Sequence, residues 1–299
     1  MLVRILGASA GGGLPQWNCA CSKCQAARSG VIPSLTQSSI AVKAGGKWFL
    51  VNASPDVRQQ LERLRNGCED NIRSNPIAGV ILTDAEIDHT NGLMILRESK
   101  QPLELYGTAT VKQALSEGFP VLRTLTNYCG VNWTVLETDA SLTLINEQSS
   151  QLKVEVFPLS KKPPKYMAQS NDDIWAIGLT FRDVATGGVF TYAPVLSELT
   201  DSLRERFEAS DCILVDGTFW YNDELQRLGI SKRTAQAMGH MPLGGSDGSL
   251  QQLKTLKRPR KILIHINNTN PIHQPDSEER MSVEAAGLEV GYDGLTIEL

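Results

Sequence analysis

Asp84, Glu86, Asp88 and His89 form the densest group in this sequence that could do chemistry. The three acids alternate along the chain directly after an apolar run, and the histidine follows them. In an extended loop, alternating carboxylates face one side, where they repel one another unless a cation or protons neutralise them. One aspartate could cap the following helix, but capping does not explain three acids and a histidine. Carboxylates with an imidazole suit iron, manganese or zinc, so the segment predicts a metal site.

Three further candidates, Asp216, His240 and His265, each lie near the end of a β-rich run. Ligands in α/β enzymes gather at strand ends, because loops there vary in sequence while the sheet holds them rigid. A single histidine is more often a hydrogen-bonded core residue. The chain has only four histidines, however, and three of them occupy this kind of position. We therefore treat all three residues as candidates for a functional site.

A separate group of thiols, Cys19, Cys21 and Cys24, lies in a glycine-rich N-terminal segment at about 11–27. Three thiolates within six residues fit a tetrahedral structural zinc, which needs a fourth ligand from elsewhere in the chain. His273 is a candidate for that ligand. A reactive dithiol is the rival interpretation, but no strand followed directly by a helix frames the Cys-x-x-Cys. The glycines lack the spacing of a dinucleotide-binding loop.

Strands and helices must position these residues. Apolar, β-rich runs predict strands at 1–6, 39–43, 48–51, 78–82, 103–106, 153–157, 174–181, 189–192, 213–215 and 262–266. Helical patterns lie between them at 55–65, 89–98, 197–207, 223–228, 250–257 and 277–286. A long β-rich middle from about 103 to 192 separates two stretches in which strands and helices alternate. This order suits two packed sheets with helices outside, so we expect a single αββα domain of the α+β class over 1–299.

The composition argues against several classes of function. The formal net charge is −4 and no basic footprint covers the chain, which disfavours nucleic acid as a partner. No apolar run approaches the roughly 20 residues of a membrane span, and the N-terminus lacks a secretory hydrophobic region. We therefore expect a cytoplasmic protein. Three further cysteines are scattered singly, unlike a disulfide framework: Cys68, Cys129 and Cys212.

One ordered set of residues resembles the motif series of the metallo-β-lactamase superfamily: Asp84, Glu86, Asp88, His89, Asp216 and His265. In that superfamily the first motif reads His-x-His-x-Asp-His, and later segments supply a bridging aspartate and a final histidine. This chain departs at Asp84 and Glu86, which stand where histidines are usual. A further histidine expected near 157–164 is also missing. The departures argue against a standard two-zinc hydrolase site.

Those departures match one family within the superfamily. The segments 11–19, 52–56, 84–89, 238–242 and 265–271 together resemble the PqqB family of pyrroloquinoline quinone (PQQ) synthesis, along essentially the whole chain. The resemblance implies a role in building PQQ from a precursor peptide that contains Glu and Tyr. It implies either an iron-dependent hydroxylase of the tyrosine ring or a carrier of PQQ or its precursor. A carboxylate-rich metal centre favours the hydroxylase, and a metal-dependent hydrolase is the third alternative.

Site residues carry over position by position from this resemblance. The implied ligands of a catalytic Fe(II) are Asp88, His89, Asp216 and His265. Asp84 and Glu86 either bind the metal directly or act as bases. His240 is expected to donate a proton or contact the substrate, and a hydrogen bond to a ligand is the alternative.

The same resemblance bears on partners. It implies a peptide or amino-acid-derived substrate, and it is compatible with other PQQ synthesis proteins and with a homodimer. Asn267 and Asn268 could orient the peptide, although asparagines after a strand more often make turns.

Overall fold

A computed structural model describes residues 1–65, 74–145, 151–167 and 173–299, and Cys68 lies outside these ranges. Its strands are β1 (Leu2–Gly7), β2 (Ser39–Lys43), β3 (Trp48–Val51), β4 (Ile77–Ile81), β5 (Leu103–Gly107), β6 (Val131–Val135), β7 (Ser141–Ile145), β8 (Gln151–Ser160), β9 (Ala176–Asp183), β10 (Val189–Ala193), β11 (Cys212–Asp216), β12 (Arg260–Ile264), β13 (Glu289–Val290) and β14 (Thr296–Glu298). Its α-helices are α1 (Ser22–Arg28), α2 (Val57–Glu62), α3 (Ile87–Thr90), α4 (Ala109–Glu117), α5 (Val121–Thr126), α6 (Asp201–Glu208), α7 (Glu224–Arg227), α8 (Ser249–Leu253) and α9 (Glu278–Ala285).

The strands form two sheets, as expected for the predicted α+β class. The chain divides into two compact units. The first contains Met1–Gly7, Ser38–Gly187 and Gly294–Leu299, and the second contains Ala8–Gln37 and Gly188–Asp293. The expectation of a single domain stays a prediction. No helix in the described ranges is long and apolar enough to span a bilayer.

The first unit contains a sheet in the order β14-β1-β2-β3-β4-β5-β6. Its β14 to β3 half is antiparallel and its β3 to β6 half is parallel. Parallel strands end at one edge, so residues that follow β3 and β4 come together there. The unit also contains an antiparallel meander of β7, β8 and β9.

Helices cover the apolar side chains of this first sheet. Leu50, Val80 and Leu105 from the parallel strands are fully buried in one core with Val111 and Leu125 from α4 and α5. Burial of such a side chain stabilises the fold by about 1.5–3 kcal/mol. Because this core fixes the ends of the parallel strands, the loops that follow these strands start from fixed positions.

The second unit contains four parallel strands in the order β10-β11-β12-β13. Their side chains are almost entirely buried in β10, β11 and the second half of β12, as expected for parallel strands covered on both faces. Asp216 is the last residue of β11, and its neighbour in the register is Ile264, the last residue of β12. His265 therefore begins the loop beside Asp216.

The middle of the chain is less β-rich than predicted. Helices α4 and α5 interrupt it, and the sequence-based prediction has neither. Thr108 begins α4, because its Oγ1 accepts a hydrogen bond from Val111 N at 3.2 Å. This is a standard helix cap, which the surrounding β-rich composition obscured.

The predicted helix at 89–98 is also different. It consists of the single turn α3 followed by a 3-10 helix, Asn91–Glu98. The reason is an intimate contact with the segment after β3. Ala53 N donates to His89 O at 2.7 Å, and Gly92 N donates to Ala53 O at 2.9 Å. A Cβ at position 92 would lie 2.0 Å from Ser54 O, so only glycine permits this approach.

We predict that Gly92→Ala destabilises the protein by about 3 kcal/mol, because backbone on both sides must shift to accept one methyl group. Chemical denaturation measures the loss. Gly187→Ala is the matched control, since nothing lies within 4 Å of its Cβ position and only its positive φ of 76° opposes the substitution. An equal effect of the two substitutions would contradict the close-approach explanation.

Candidate metal centres

An asparagine at the end of β3 anchors the loop that carries the acidic cluster. Asn52 adopts a left-handed conformation with φ 62° and is fully buried. Its Nδ2 donates to Thr83 Oγ1 at 2.9 Å, and its Oδ1 accepts from Thr83 N at 3.0 Å. Asparagine is among the residues that tolerate this conformation best. The residue before Asp84 is therefore fixed by the neighbouring strand.

Asp84 holds the ring of His89. Its two carboxylate oxygens lie 2.8 and 2.7 Å from His89 Nδ1. They also accept hydrogen bonds from Thr83 Oγ1 at 2.7 Å and Glu86 N at 3.0 Å. The Asp84 carboxylate therefore accepts the Nδ1–H of His89. The other ring nitrogen, Nε2, faces Asp88, whose Oδ2 is 3.8 Å away. Histidines that bind metals commonly have their other nitrogen held by a carboxylate in this way.

The electrostatics of this group follow from its burial. Burial alone disfavours the charged imidazole, but Asp84 and Asp88 outweigh it and raise the pKa of His89 to about 9. Burial likewise opposes the Asp84 carboxylate, and His89 reverses this, lowering the pKa of Asp84 below its usual range. Glu86 has a side chain that reaches solvent, yet desolvation and repulsion from Asp84 and Asp88 raise its pKa to about 7. Three acids with one histidine thus retain an excess of negative charge, which favours a cation.

The second unit contains a group of its own around Asp216. The Asp216 carboxylate accepts from His240 Nδ1 at 2.7 Å and Leu196 N at 2.9 Å on one oxygen. Its other oxygen accepts from Thr218 N at 2.9 Å and Thr218 Oγ1 at 2.5 Å. Thr218 Oγ1 also lies 2.8 Å from His265 Nδ1. The hydroxyl donates to the aspartate and accepts from the histidine, so one threonine orients two candidate ligands.

His265 and His240 stack face to face in this group. Their ring centroids are 5.4 Å apart with planes inclined by 20°. His265 adopts a left-handed backbone conformation with φ 55°, directly after β12. Polar atoms of Asp216, His240 and His265 lie within 4.8 Å of one another and could hold an ion. Burial opposes the Asp216 charge, but the two histidines and Thr218 lower its pKa.

The structure thus assembles the predicted residues in two groups, one in each unit. Asp84, Glu86, Asp88 and His89 form the first, and Asp216, His240 and His265 form the second. An ion bound jointly by both groups stays a prediction. His240 contacts the Asp216 carboxylate, which agrees with the alternative of a hydrogen bond to a ligand. Thr218 was not among the predicted residues, although its position two residues after Asp216 at a strand end was a usable signal.

The three clustered cysteines converge in the second unit, and their sulfurs lie within 4.8 Å of one another. The segment at about 11–27 is more ordered than expected, since α1 begins directly after Cys21 and carries Cys24 in its first turn. Cys24 is fully buried beside Leu14. Its pKa rises to about 11 through desolvation, so a cation is needed to keep it as a thiolate near neutral pH.

His273 is not among the side chains at the thiols. Its Nε2 donates to Asn267 O at 3.0 Å, and burial lowers its pKa to about 4, so the imidazole is neutral. The metal-capable group there contains the three cysteines and not His273. Asn268 approaches the sulfurs instead, with Nδ2 at 3.2 Å from Cys24 Sγ. Among the described residues, the structure thus brings His273 to a backbone carbonyl and not to the three sulfurs, so it does not support this candidate for the fourth ligand.

We predict that His273 makes stability depend on pH. The unfolded chain protonates this imidazole below about pH 6.5, whereas the folded chain resists protonation until about pH 4. Stability from the neutral ring is therefore complete above pH 6.5 and falls with pH, by about 3 kcal/mol in all. His273→Gln should keep an amide donor for Asn267 O and lose much less stability between pH 6.5 and 4. Denaturant titrations at several pH values test this, and parallel curves for both proteins would refute it.

Comparison with known proteins identifies the family. A family model described as beta-lactamase superfamily domain matches residues 47–266. Coenzyme PQQ synthesis protein B of Methylococcus capsulatus is 45% identical over 305 residues, covering all of both chains. Its counterpart in Nitrosococcus oceani is 42% identical and covers 99% of both chains.

A solved structure agrees with these relatives. The crystal structure of Zn²⁺-bound PqqB from Methylobacterium extorquens superimposes with a TM-score of 0.89, at 35% identity and with all of both chains covered. The metallo-β-lactamase fold and the family resemblance inferred from the sequence are confirmed. The chain therefore belongs to the coenzyme PQQ synthesis protein B family, within the beta-lactamase superfamily.

Proposed function

We propose that this member of a PQQ synthesis family is a metal-dependent enzyme that uses Fe(II) to hydroxylate the tyrosine ring of a precursor-derived peptide. The role in PQQ synthesis comes from the family. The reaction is inferred from the chemistry of the two ligand groups. Other proteins of PQQ synthesis are the partners that such a reaction needs, because it would modify one intermediate in a series.

The arrangement of Asp84 is the main support for this reaction. Its position is usually a histidine ligand in the superfamily, but here both oxygens face His89 Nδ1 at 2.7 and 2.8 Å. A carboxylate used in this way positions the histidine and does not supply the imidazole that a first zinc ion would bind. No histidine occurs within 157–164 either. The ligands of a first zinc ion are thus missing, which argues against hydrolysis by a pair of metal ions.

The remaining donors fit iron. The proposed ligands are those that the family resemblance implies: Asp88, His89, Asp216 and His265. Two imidazoles with carboxylate oxygens and open positions are the ligand set of non-haem Fe(II) oxygenases. Iron bound there would supply the activation of O₂, which no side chain provides.

The protein's own groups would manage the substrate and its protons. Glu86 reaches solvent and has a pKa raised to about 7, so it can exchange a proton with the ring and with bulk water. His240 is held through Nδ1 by Asp216 at 2.7 Å, which leaves Nε2 for the substrate phenol. Thr218 Oγ1 bonds the other oxygen of Asp216 and also contacts Nδ1 of His265, which orients that ring.

A zinc ion at Cys19, Cys21 and Cys24 is a second part of the proposal. Three sulfurs within 4.8 Å of one another match the donor set of structural zinc sites. Zinc there would stabilise a segment whose own apolar core is small, consisting of Leu14, Cys24, Ala27 and Ile32.

We predict that Asp84→Asn weakens iron binding by about 10- to 100-fold while the chain stays folded. The amide preserves shape but loses the charge that holds His89 by Nδ1. Titration of the metal-free protein with Fe(II) under anaerobic conditions measures this, with far-UV circular dichroism as the check on folding. His89→Ala should lose iron more completely.

The matched control is Asp139→Asn, an exposed aspartate of the same unit whose positive φ of 60° also suits asparagine. It should bind iron like the unmodified protein. Unchanged affinity in Asp84→Asn and His89→Ala together would show that the ion is not bound where we propose.

We predict that the iron-loaded protein converts a peptide containing Glu and Tyr to a product heavier by one or two oxygen atoms. Each insertion consumes one O₂ and two electrons from an added reductant and releases one water. Mass spectrometry of the peptide, with and without iron, O₂ and the reductant, detects the product. Glu86→Gln should slow the reaction by about 100-fold or more, because it removes the proton exchanger. Glu117→Gln, at an exposed site, is its control.

The carrier alternative predicts a different result. Tight binding of finished PQQ, with no change in mass of either peptide or free tyrosine under all conditions, would overturn the hydroxylase and favour a carrier. Cleavage of a peptide or ester bond without added reductant would favour the hydrolase.

A further inference from the structure

Tyr166 is an aromatic side chain of the first unit that has no role in the reaction proposed above. It follows β8 in a short 3-10 turn, Lys165–Met167. Its hydroxyl donates a hydrogen bond to Ala85 O at 2.5 Å. Ala85 lies between Asp84 and Glu86, so the hydroxyl end of this ring reaches the loop that carries the acids.

Neighbouring residues of the same unit support part of the Tyr166 ring. A Cβ at Gly118 would lie 2.7 Å from Tyr166 Cδ2, so the ring lies directly against this glycine. The Phe119 ring packs against it with centroids 6.4 Å apart and planes inclined by 64°, an edge-to-face arrangement. The Tyr166 side chain is nevertheless only partly buried. Some of its ring therefore remains accessible beside the acidic loop.

The hydroxyl of Tyr166 is unsuited to exchange protons with a substrate. Its one proton is already donated to Ala85 O. A phenol ordinarily has a pKa of about 10, and burial raises the pKa of Tyr166 further. A general base needs a pKa near the working pH, which this phenol does not have. The part of Tyr166 that remains for a ligand is the accessible part of its ring.

An aromatic ring at this place suits an aromatic ligand. Two aromatic side chains pack edge to face or offset, and such a pair gains more free energy than burial of the same area alone. Glu86, the proton exchanger of the proposed reaction, follows Ala85 directly in the loop that the Tyr166 hydroxyl contacts. A substrate phenol that exchanges its proton with Glu86 would bring its ring close to that of Tyr166.

We propose that the ring of Tyr166 packs against the aromatic ring of the substrate and thereby selects an aromatic side chain for the site. The inference rests on the function proposed above, because it names the residue that recognises the tyrosine ring of that substrate. Phe119 and Gly118 support the recognising ring, and the bond to Ala85 O fixes its hydroxyl end.

The competing role of Tyr166 is to hold the acidic loop through its hydrogen bond to Ala85 O. Two substitutions separate these roles. Tyr166→Phe removes the hydroxyl and keeps the ring, whereas Tyr166→Leu removes both and keeps an apolar side chain. If the ring is what the ligand contacts, only Tyr166→Leu weakens the binding of an aromatic ligand. If the hydrogen bond is what matters, both substitutions weaken it equally.

The experiment measures the binding of p-cresol, which is the tyrosine side chain as a free molecule, to the full-length protein by equilibrium dialysis. 4-Methylcyclohexanol is the matched probe, because it has the same carbon skeleton and hydroxyl but no aromatic ring. We expect Tyr166→Leu to weaken p-cresol binding by about 5- to 10-fold and 4-methylcyclohexanol binding by less than about twofold. Tyr166→Phe should bind both probes like the unmodified chain. Tyr128→Leu, at an exposed tyrosine of the same unit, is the control and should also behave like the unmodified chain.

Three outcomes overturn the inference. They are equal p-cresol affinity in Tyr166→Leu and the unmodified chain, equal weakening by Tyr166→Phe and Tyr166→Leu, or no preference of the unmodified chain for p-cresol over 4-methylcyclohexanol. Circular dichroism establishes that each variant is folded before its binding is measured.

Mass spectrometry of the peptide product tests the hydroxylase separately. If p-cresol binding depends on Tyr166 as expected but no oxygen is inserted into the peptide, the proposed reaction is wrong and the ring contact stands. If oxygen is inserted and Tyr166→Leu leaves the KM for the peptide unchanged, the ring contact is wrong and the reaction stands. When both are right, Tyr166→Leu raises KM by about the same factor as it weakens p-cresol binding.

Discussion

A carboxylate that is buried without a partner destabilises the fold by several kcal/mol, and both candidate groups are built around this constraint. Asp84 and Asp216 are both almost fully buried, and each is engaged by an imidazole nitrogen at 2.7 Å and by backbone N–H groups. Each pair requires the strand end, the following turn and the histidine to be in register. Three local features around the two groups meet this requirement: the left-handed backbone of Asn52, the glycine at position 92 and the hydroxyl of Thr218.

The two buried carboxylates, Asp84 and Asp216, obtain their histidine partners from different parts of the chain. In the first unit the histidine comes five residues after its carboxylate, on the helix that the loop begins, so the pair is local in sequence. In the second unit His240 and His265 come from distant segments and meet through Asp216 and Thr218. A local pair forms with its loop, whereas a distant pair requires the parallel strands to be assembled first. The second group is therefore more sensitive to the order of the sheet around it.

How far the sequence predicts this site depends on whether the information is local. The alternation of Asp84, Glu86 and Asp88 after a strand is local information, and from it the sequence predicts that these carboxylates lie close together. The contact of both Asp84 oxygens with His89 Nδ1 depends on the side-chain rotamers of the two residues, which the order of residue types does not predict. The position of His273 is likewise not contained in its residue type, which does not reveal that its ring lies against the Asn267 carbonyl and outside the group of three sulfurs.

The elements show the same division. Ten of the strands followed from apolar runs, because burial leaves a strong compositional signal. The prediction missed the half-exposed β6, the two-residue β13 and also β7 and β14. Helices α4 and α5 were missed because Thr108 is an inconspicuous cap within a β-rich stretch. The short α3 depends on backbone contacts with Ala53, which lies more than 30 residues earlier in the chain. Such contacts become visible only once the parallel strands are aligned.

The backbone of His265 has a consequence for how this position tolerates change. At φ 55° a side chain with a Cβ pays a steric penalty that glycine does not, roughly 1–2 kcal/mol for most residues. Alanine usually stabilises a folded chain more than glycine does, but at this left-handed position glycine is the more compatible of the two. Among random substitutions, glycine and asparagine would leave the fold least disturbed, so variants that merely survive at position 265 would be biased towards residues without an imidazole.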